Sequence, residues 1–249
     1  MTDQRRWFFV HLQKTAGTAL FRRLRHGLGT EAVYPLPTEQ GTPATVLSVE
    51  RLQDRLGETG DQFRVVTGHF PLVTVDRLGG TWETFTILRD PVERVLSFLR
   101  HQAERRQRGA EPDTPLWEIY SDPTRFNLLI HNHMTRMLSL TPEEFLPGDG
   151  VLVTVPYDAA RLEMAKEGLA GLDLFGLQHR LDEFCAELSD RHGLDVGTSM
   201  RSNTTDRDDV PEGLIDRIVH DNALDVELYA WACRLYDERH PTTSQGGPP

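Results

Sequence analysis

An apolar run of strand length, Trp7 to Leu12, passes through a short polar loop into a segment, Thr18 to Leu28, whose residues Ala19, Leu20, Leu24 and Leu28 recur at helical spacing. A buried strand that feeds a helix is the opening of a strand–helix–strand unit, and such units build parallel sheets with helices on their faces. The pattern repeats. Strands are expected at Phe63 to Thr67 and Thr84 to Leu88, both rich in β-branched and aromatic residues, and at Val151 to Val155. Helices are expected at Ser48 to Leu56, behind Pro91 through Val92, Val95, Leu96 and Leu99, and at Pro123 to Leu138, Ala159 to Leu169, Leu181 to Arg191 and Pro211 to Glu238. Leu224, Leu228, Trp231 and Leu235 fall at helical spacing and belong to the core. The stretch Glu104 to Asp113 reads as a solvated loop whose arginines carry no chemistry, and no internal repeat is found. The fold class is therefore α/β, with a mostly parallel sheet flanked by helices.

The 249 residues suit one domain over 1–240, followed by a Gly/Pro/Ser/Thr-rich tail, 241–249, expected to be disordered. Mean hydropathy is -0.44 and no run reaches eighteen apolar residues, so no membrane-spanning helix is expected. The N-terminus runs from polar residues straight into Trp7 without the apolar stretch of a secretory signal, which places the chain in the cytoplasm. Cys185 and Cys233 are too few for a disulfide framework and read as two buried apolar thiols. A net charge of -11 argues against a nucleic-acid or general polyanion surface. The charge is uneven, however. Within residues 1–30, Arg5, Arg6, Lys14, Arg22, Arg23 and Arg25 face the single acid Asp3, so a local anion site is possible.

The loop His11-Leu12-Gln13-Lys14-Thr15-Ala16-Gly17-Thr18 has the composition of such a site. The unpaired N–H groups and partial positive charge at a helix start favour a phosphate or sulfate. Gly17 would allow close approach of the main chain, and the hydroxyls of Thr15 and Thr18 would donate. Only two of the 27 basic residues, Lys14 and Lys166, are lysines, so the ammonium in this loop stands out against an arginine background. An accidental surface lysine is the alternative. Lysine comes first and glycine later, the reverse of a Walker A loop, which argues against an ordinary ATP-dependent kinase or ATPase.

Two separated motifs resemble the sulfotransferases that use 3′-phosphoadenosine 5′-phosphosulfate (PAPS), in the branch that includes heparan sulfate 2-O-sulfotransferase and its bacterial relatives. Lys14-Thr15-Ala16-Gly17-Thr18 resembles the family's 5′-phosphosulfate loop, and Ile87-Leu88-Arg89-Asp90-Pro91-Val92-Glu93-Arg94-Val95-Leu96-Ser97 resembles its 3′-phosphate segment. Arg89 at a strand end and Ser97 two turns into the next helix would converge on one phosphate; taken alone, Arg89-Asp90-Pro91 also reads as a capped helix start with a local ion pair. Thr67-Gly68-His69-Phe70 follows the second strand, and the resemblance makes His69 the general base, which an imidazole with an ordinary pKa of about 6.5 suits. Arg201-Ser202-Asn203-Thr204-Thr205-Asp206-Arg207 is similar to a basic loop that closes over the nucleotide, which would add Arg201, Thr204, Thr205 and Arg207; Asp206 departs from that pattern, and the bland reading is an exposed turn. Gln13 stands where relatives commonly carry proline.

The resemblance implies a P-loop-like sulfotransferase fold and transfer of a sulfuryl group from PAPS to a hydroxyl acceptor, with adenosine 3′,5′-bisphosphate (PAP) as co-product and no metal. Lys14 and His69 would be catalytic, and Lys14, Thr15, Ala16, Gly17, Thr18, Arg89 and Ser97 would bind the donor. His131 and His133, two apart on an expected helix, do not share a face and imply no metal site. The acceptor would be a glycan, glycolipid or small metabolite, and the acidic chain favours a neutral one. An ATP-dependent kinase and a noncatalytic nucleotide-binding protein are the alternatives. The oligomeric state is not read from the sequence.

Overall fold

In a computed structural model, described over residues 5–39, 43–109, 114–145, 153–196 and 210–241, the chain forms a five-stranded, wholly parallel sheet flanked by helices. The strands are β1 (Trp7–Val10), β2 (Val33–Tyr34), β3 (Val65–Gly68), β4 (Glu83–Leu88) and β5 (Leu174–Leu177), in the order β2-β3-β1-β4-β5. The helices are α1 (Gly17–Leu28), α2 (Pro43–Leu47), α3 (Val49–Thr59), α4 (Val75–Leu78), α5 (Pro91–Arg108), α6 (Leu116–Tyr120), α7 (Pro123–Arg125), α8 (His133–Ser139), α9 (Ala159–Ala170), α10 (Leu181–His192), α11 (Leu214–Asp221) and α12 (Ala223–Arg239). The α/β class and parallel sheet expected from the alternation of strands and helices are those observed.

The two-residue period of the strands sorts the core into two layers. Phe8, Val10, Val66, Leu88 and Phe175 pack against α3, α8, α9 and α12, through side chains such as Leu52, Met134, Leu162 and Leu228. Trp7, Phe9, Val65, Phe85 and Ile87 pack on the other face against Leu20 and Leu24 of α1 and Phe184 and Leu188 of α10. Burying each such leucine contributes about 2 kcal/mol. A third cluster ties α5 to α6 and α11 through Val95, Leu99, Ile119 and Ile218.

Several boundaries differ from the sequence expectation, each for a local reason. The arginine-rich stretch after Leu99 is no loop: α5 runs on to Arg108, where the Gly109 N–H caps the carbonyls of Arg105 and Arg106. The expected helix from Pro123 to Leu138 is broken into α7, a π-helical turn at Phe126–Ile130 and α8, with Asn132 left-handed at φ 44 between them. The long C-terminal helix is likewise two, α11 and α12, joined at the buried Asn222. Residues 153–155 of the expected strand are irregular, and its first two residues lie outside the described residues. β2 and β5 were not expected; β2 is two residues long, and β5 interrupts its apolar run with Gly176. Cys185 and Cys233 are both free; Cys185 is buried but accepts a hydrogen bond from Arg23 Nη1 at 2.8 Å, and Cys233 is half-buried. The tail from residue 242 and the loop with Arg201, Thr204, Thr205 and Arg207 lie outside the described residues.

Strand order places the site. From β1 the chain moves to β2 and β3 on one side of it, then crosses to β4 and β5 on the other. In an open parallel sheet the crevice for a ligand lies beyond the carboxyl ends of the strands where the winding reverses, here β1 and β4.

Candidate functional site

Three loops leave the carboxyl ends of the adjacent strands β3, β1 and β4, and they carry His69, Lys14 and Arg89 respectively. The β1 loop is tight. Lys14 and Ala16 adopt left-handed backbone, at φ 67 and 74, a conformation that costs a residue with a Cβ about 1–2 kcal/mol. Left-handed residues in a tight turn bring successive N–H groups to one side, and strain of this kind gathers at functional sites. The first turn of α1 contains no acidic residue, and no side chain caps it. Its N-terminal partial positive charge is therefore not neutralised from within the helix.

After β4, the Asp90 carboxylate caps α5 by accepting from the Glu93 N–H at 3.0 Å, with Pro91 in the first turn. This turns Arg89 back over the β1 loop, where its Nη1 donates to the Lys14 carbonyl at 3.3 Å and its Nη2 meets Glu93 at 3.5 Å. The two expected anion motifs thus meet. Ser97 is half-buried on α5, between Glu93, which touches Arg89, and His101, which lies within the field of Lys14. Burial, then the Arg89 charge, lowers the Lys14 pKa, and Glu104 on α5 opposes this.

Not every expected contact is made. Thr15 is buried, and its hydroxyl donates to Leu12 O at 2.8 Å, so the side chain braces the loop and its hydroxyl is not offered to a ligand. Thr18 is exposed and lines a cleft of about 520 Å³ beside α1. His11, Gly68 and His69 line the same cleft, together with Arg22, Arg25 and Arg105. Arg25 donates to Pro35 O at 2.8 Å and lies over the Phe21 ring at 4.7 Å. Arg105 is a cleft-lining residue that sequence reasoning missed, because it was assigned to a loop without chemistry; its position four residues after His101 and eight after Ser97 was the available signal. No acidic side chain lines this cleft among the described residues. Lys14, Arg89 and Ser97 lie outside that lining, so the candidate site has two parts, the Lys14–Arg89 contact and the arginine-rich cleft at His69.

His69 is held by its Nδ1, 3.1 Å from the His11 carbonyl, while its own N–H donates to Val46 O. A carbonyl only accepts, so Nδ1 carries the proton and Nε2 is the free acceptor. Gly68 precedes it because a Cβ there would lie 2.2 Å from the Phe70 ring. Burial lowers the His69 pKa; the His11 carbonyl partly offsets this and Lys14 adds to it. His11 is held well below the ordinary histidine value by burial first, then by His69 and Lys14. On α8, His133 is also well below it, again by burial first, with Arg94, Arg136 and His69 adding.

These lowered values set a pH dependence of folding. The unfolded chain takes up protons on His11 and His133 near pH 6.5 while the folded chain does not, so stability is full above that value and falls as pH drops below it. Below that pH each histidine costs up to about 1.4 kcal/mol per pH unit, or about 3 kcal/mol per pH unit for the pair. Asp225 acts in the opposite sense at lower pH, because burial raises its pKa and the folded chain gains its proton first. Urea unfolding at pH 7 and pH 5 is expected to show a large loss of stability at pH 5; equal stabilities would contradict the assignment.

A second cavity of about 460 Å³ lies at the opposite end of β5, bounded by Asp173, Glu187, Arg239 and His240, and holds none of the expected site residues. Among the described residues no group of His, Cys, Asp and Glu is arranged to hold a metal ion, and no helix is long and apolar enough to cross a membrane. No protein-family model and no curated protein matches the chain. A solved structure of a sulfotransferase from Alicyclobacillus acidocaldarius is similar to it with a TM-score of 0.44 and 14% identity, over 92% of this chain and 95% of that one.

Proposed function

We propose that this protein transfers a sulfuryl group from PAPS to a hydroxyl acceptor. The observation that carries the reading is the meeting of two cationic segments at the winding reversal of the sheet, with Arg89 Nη1 donating to the Lys14 carbonyl beside an uncapped, acid-free helix start. A donor with phosphate groups at both ends of a nucleoside fits this arrangement: the backbone N–H groups of residues 15–18 and the Lys14 ammonium would hold its 5′ end, and Arg89 and Ser97 its 3′-phosphate. Arg201, Thr204, Thr205 and Arg207 remain part of the proposed donor site through the resemblance alone.

The donor supplies an electrophilic sulfur and a phosphate leaving group. His69 Nε2 takes the proton of the acceptor hydroxyl as its oxygen bonds to sulfur, and the bond from sulfur to the bridging oxygen breaks, releasing PAP. Lys14 stabilises the charge that gathers on the departing phosphate. A compact ammonium suits that role, because charge moves between oxygens as the bond breaks. The chemistry asks for fixed positive charge and positioning, which this chain's own residues supply.

The cleft at His69 refines the acceptor. The whole chain is acidic, which favoured a neutral acceptor, but the local field is set by Arg22, Arg25 and Arg105 with no acid lining the cleft among the described residues. The acceptor is accordingly a compact hydroxylated anion. The residues are read as one α/β sulfotransferase domain acting in the cytoplasm. PAP is expected to raise the melting temperature, whereas ATP with magnesium does not; at ligand a hundredfold above Kd the stabilisation is about 2.7 kcal/mol. The reverse order of the two nucleotides would favour a kinase. With labelled PAPS, a hydroxylated carboxylate is expected to accept sulfate better than its amide, and equal use would contradict the anionic acceptor.

A further inference from the structure

The rings of Phe85, Phe9 and His11 form a column. Phe85 and Phe9 are paired across β4 and β1 and stack at 4.8 Å and 8°, and Phe9 stacks on His11 at 5.2 Å and 8°. The column ends against His69, whose ring centre lies 4.7 Å from that of His11. The Phe rings are wholly buried, so the His11 ring is stacked against the packed core of the sheet. On its other side stands the start of α1. A Cβ added at Gly17 would lie 2.0 Å from His11 Cδ2 and 2.1 Å from its Nε2, distances no packed side chain tolerates. Gly17 has no positive φ, so backbone conformation alone does not call for glycine there.

We propose that His11 is the positioning residue for His69, and that position 17 is a glycine because the His11 ring fills the space its side chain would need. This departs from the expectation that Gly17 admits an anion to the main chain. It rests on the proposed role of His69 as base. The His11 carbonyl accepts a hydrogen bond from the Nδ1–H of His69, which keeps the proton there and leaves Nε2 unprotonated, while the His11 ring holds that carbonyl and the His69 ring in place. The charged and titratable groups around His69 are Lys14 on the β1 loop, His133 on α8, and Arg22, Arg25 and Arg105 across the cleft. Neither imidazole is protonated at neutral pH, since burial lowers both and each faces cations.

The test uses the full chain and two readouts. Nitrogen-15 spectra of the imidazoles report the tautomer and titration of His69. Wild type is expected to show the Nδ1–H form alone; His11→Ala mixes the tautomers and moves the His69 pKa up toward the ordinary value of about 6.5; His11→Phe, which keeps a ring in the column, restores the single tautomer. An unchanged His69 in His11→Ala overturns the positioning role. The second readout is an unfolding cycle. Gly17→Ala is expected to cost about tenfold or more in the folding equilibrium of the wild type, but under about threefold in the His11→Ala background, where the ring is gone. Equal costs in both backgrounds overturn the account of Gly17. PAP affinity, measured on the same proteins, separates this inference from the donor assignment. Failure of the wild type to bind PAP would remove the donor and leave the cycle and the spectra to decide His11. Affinity lost in Gly17→Ala and regained in the double variant supports the ring's claim on the space. Affinity lost in both returns Gly17 to the anion.

Discussion

Replacing Asp225 by alanine is expected to lower the free energy of unfolding by about 3–5 kcal/mol, because it removes one partner of a buried charge network. Asp225 is the one buried acid among the described residues. Its carboxylate accepts from the N–H groups of Met134 and Thr135 at 3.1 and 2.7 Å and from the Thr135 hydroxyl at 2.8 Å, which caps α8 from the first turn of α12. The favour is returned by Asn132, whose Oδ1 accepts from the Asp225 N–H at 3.1 Å, and Asn222 Oδ1 accepts from the Asn132 N–H at 2.9 Å. Two buried guanidiniums lie in its field. Arg94 donates to the carbonyls of Leu129 and Ile130, at 3.1 and 2.8 Å, and Arg136 donates to Val153 O at 3.0 Å. Burial pushes Arg94 down to about 10, and the Asp225 charge opposes that shift. Without the carboxylate two buried cations repel each other and three donors lose their acceptor. Chemical denaturation of Asp225→Ala measures this directly; a loss below about 1 kcal/mol would show that the network is not what holds α8 and α12 together.

The network explains much of what the sequence did not reveal. Helical periodicity runs unbroken through Asn132 and Asn222, and neither position carries a proline or glycine to announce a break. The breaks come from tertiary capping between residues about ninety apart, which a local pattern does not contain. Arg94 shows the same limit. Inside the Arg89-to-Ser97 motif it reads as one more cation near a phosphate, but it is wholly buried and clamps the carbonyls of the π-helical turn. By contrast, the β1–loop–α1 and β4–α5 junctions were legible because each is local. An apolar run of four to six residues, a polar turn and an amphipathic helix define them, and Asp90 with Pro91 marks the second helix start. The carboxyl-end placement of Lys14 and Arg89 followed from those strands, and that of His69 from the apolar run of β3. Gly17 was legible as a glycine, but the reason the structure offers, a histidine ring six residues earlier, depends on packing. Arg105 was hidden because charge at the far end of a long helix looks like solvated surface until the cleft is seen.

His69→Ala is expected to lower the rate of sulfuryl transfer by about 10²–10⁴, the range over which positioned general bases act. PAP binding should persist, since His69 lines the cleft proposed for the acceptor and not the Lys14–Arg89 contact. Lys14→Ala is expected to lower the rate by about 10²–10³ through lost stabilisation of the leaving phosphate, and to weaken PAP as well. The two variants therefore differ in kind: one separates turnover from donor affinity, the other lowers both. Labelled-sulfate transfer in parallel with calorimetry on each variant distinguishes them. Equal turnover by His69→Ala and wild type would remove the base and leave the donor site standing.

The most direct measurement is a crystal structure of the protein with PAP bound. The account predicts the 5′-phosphate on the backbone of residues 15–18 beside Lys14 and the 3′-phosphate within hydrogen-bond reach of Arg89 and Ser97, with the cleft lined by Arg22, Arg25 and Arg105 left open for the acceptor. PAP seated in that arginine cleft, in the cavity at Glu187 and Arg239, or nowhere on the protein would contradict it.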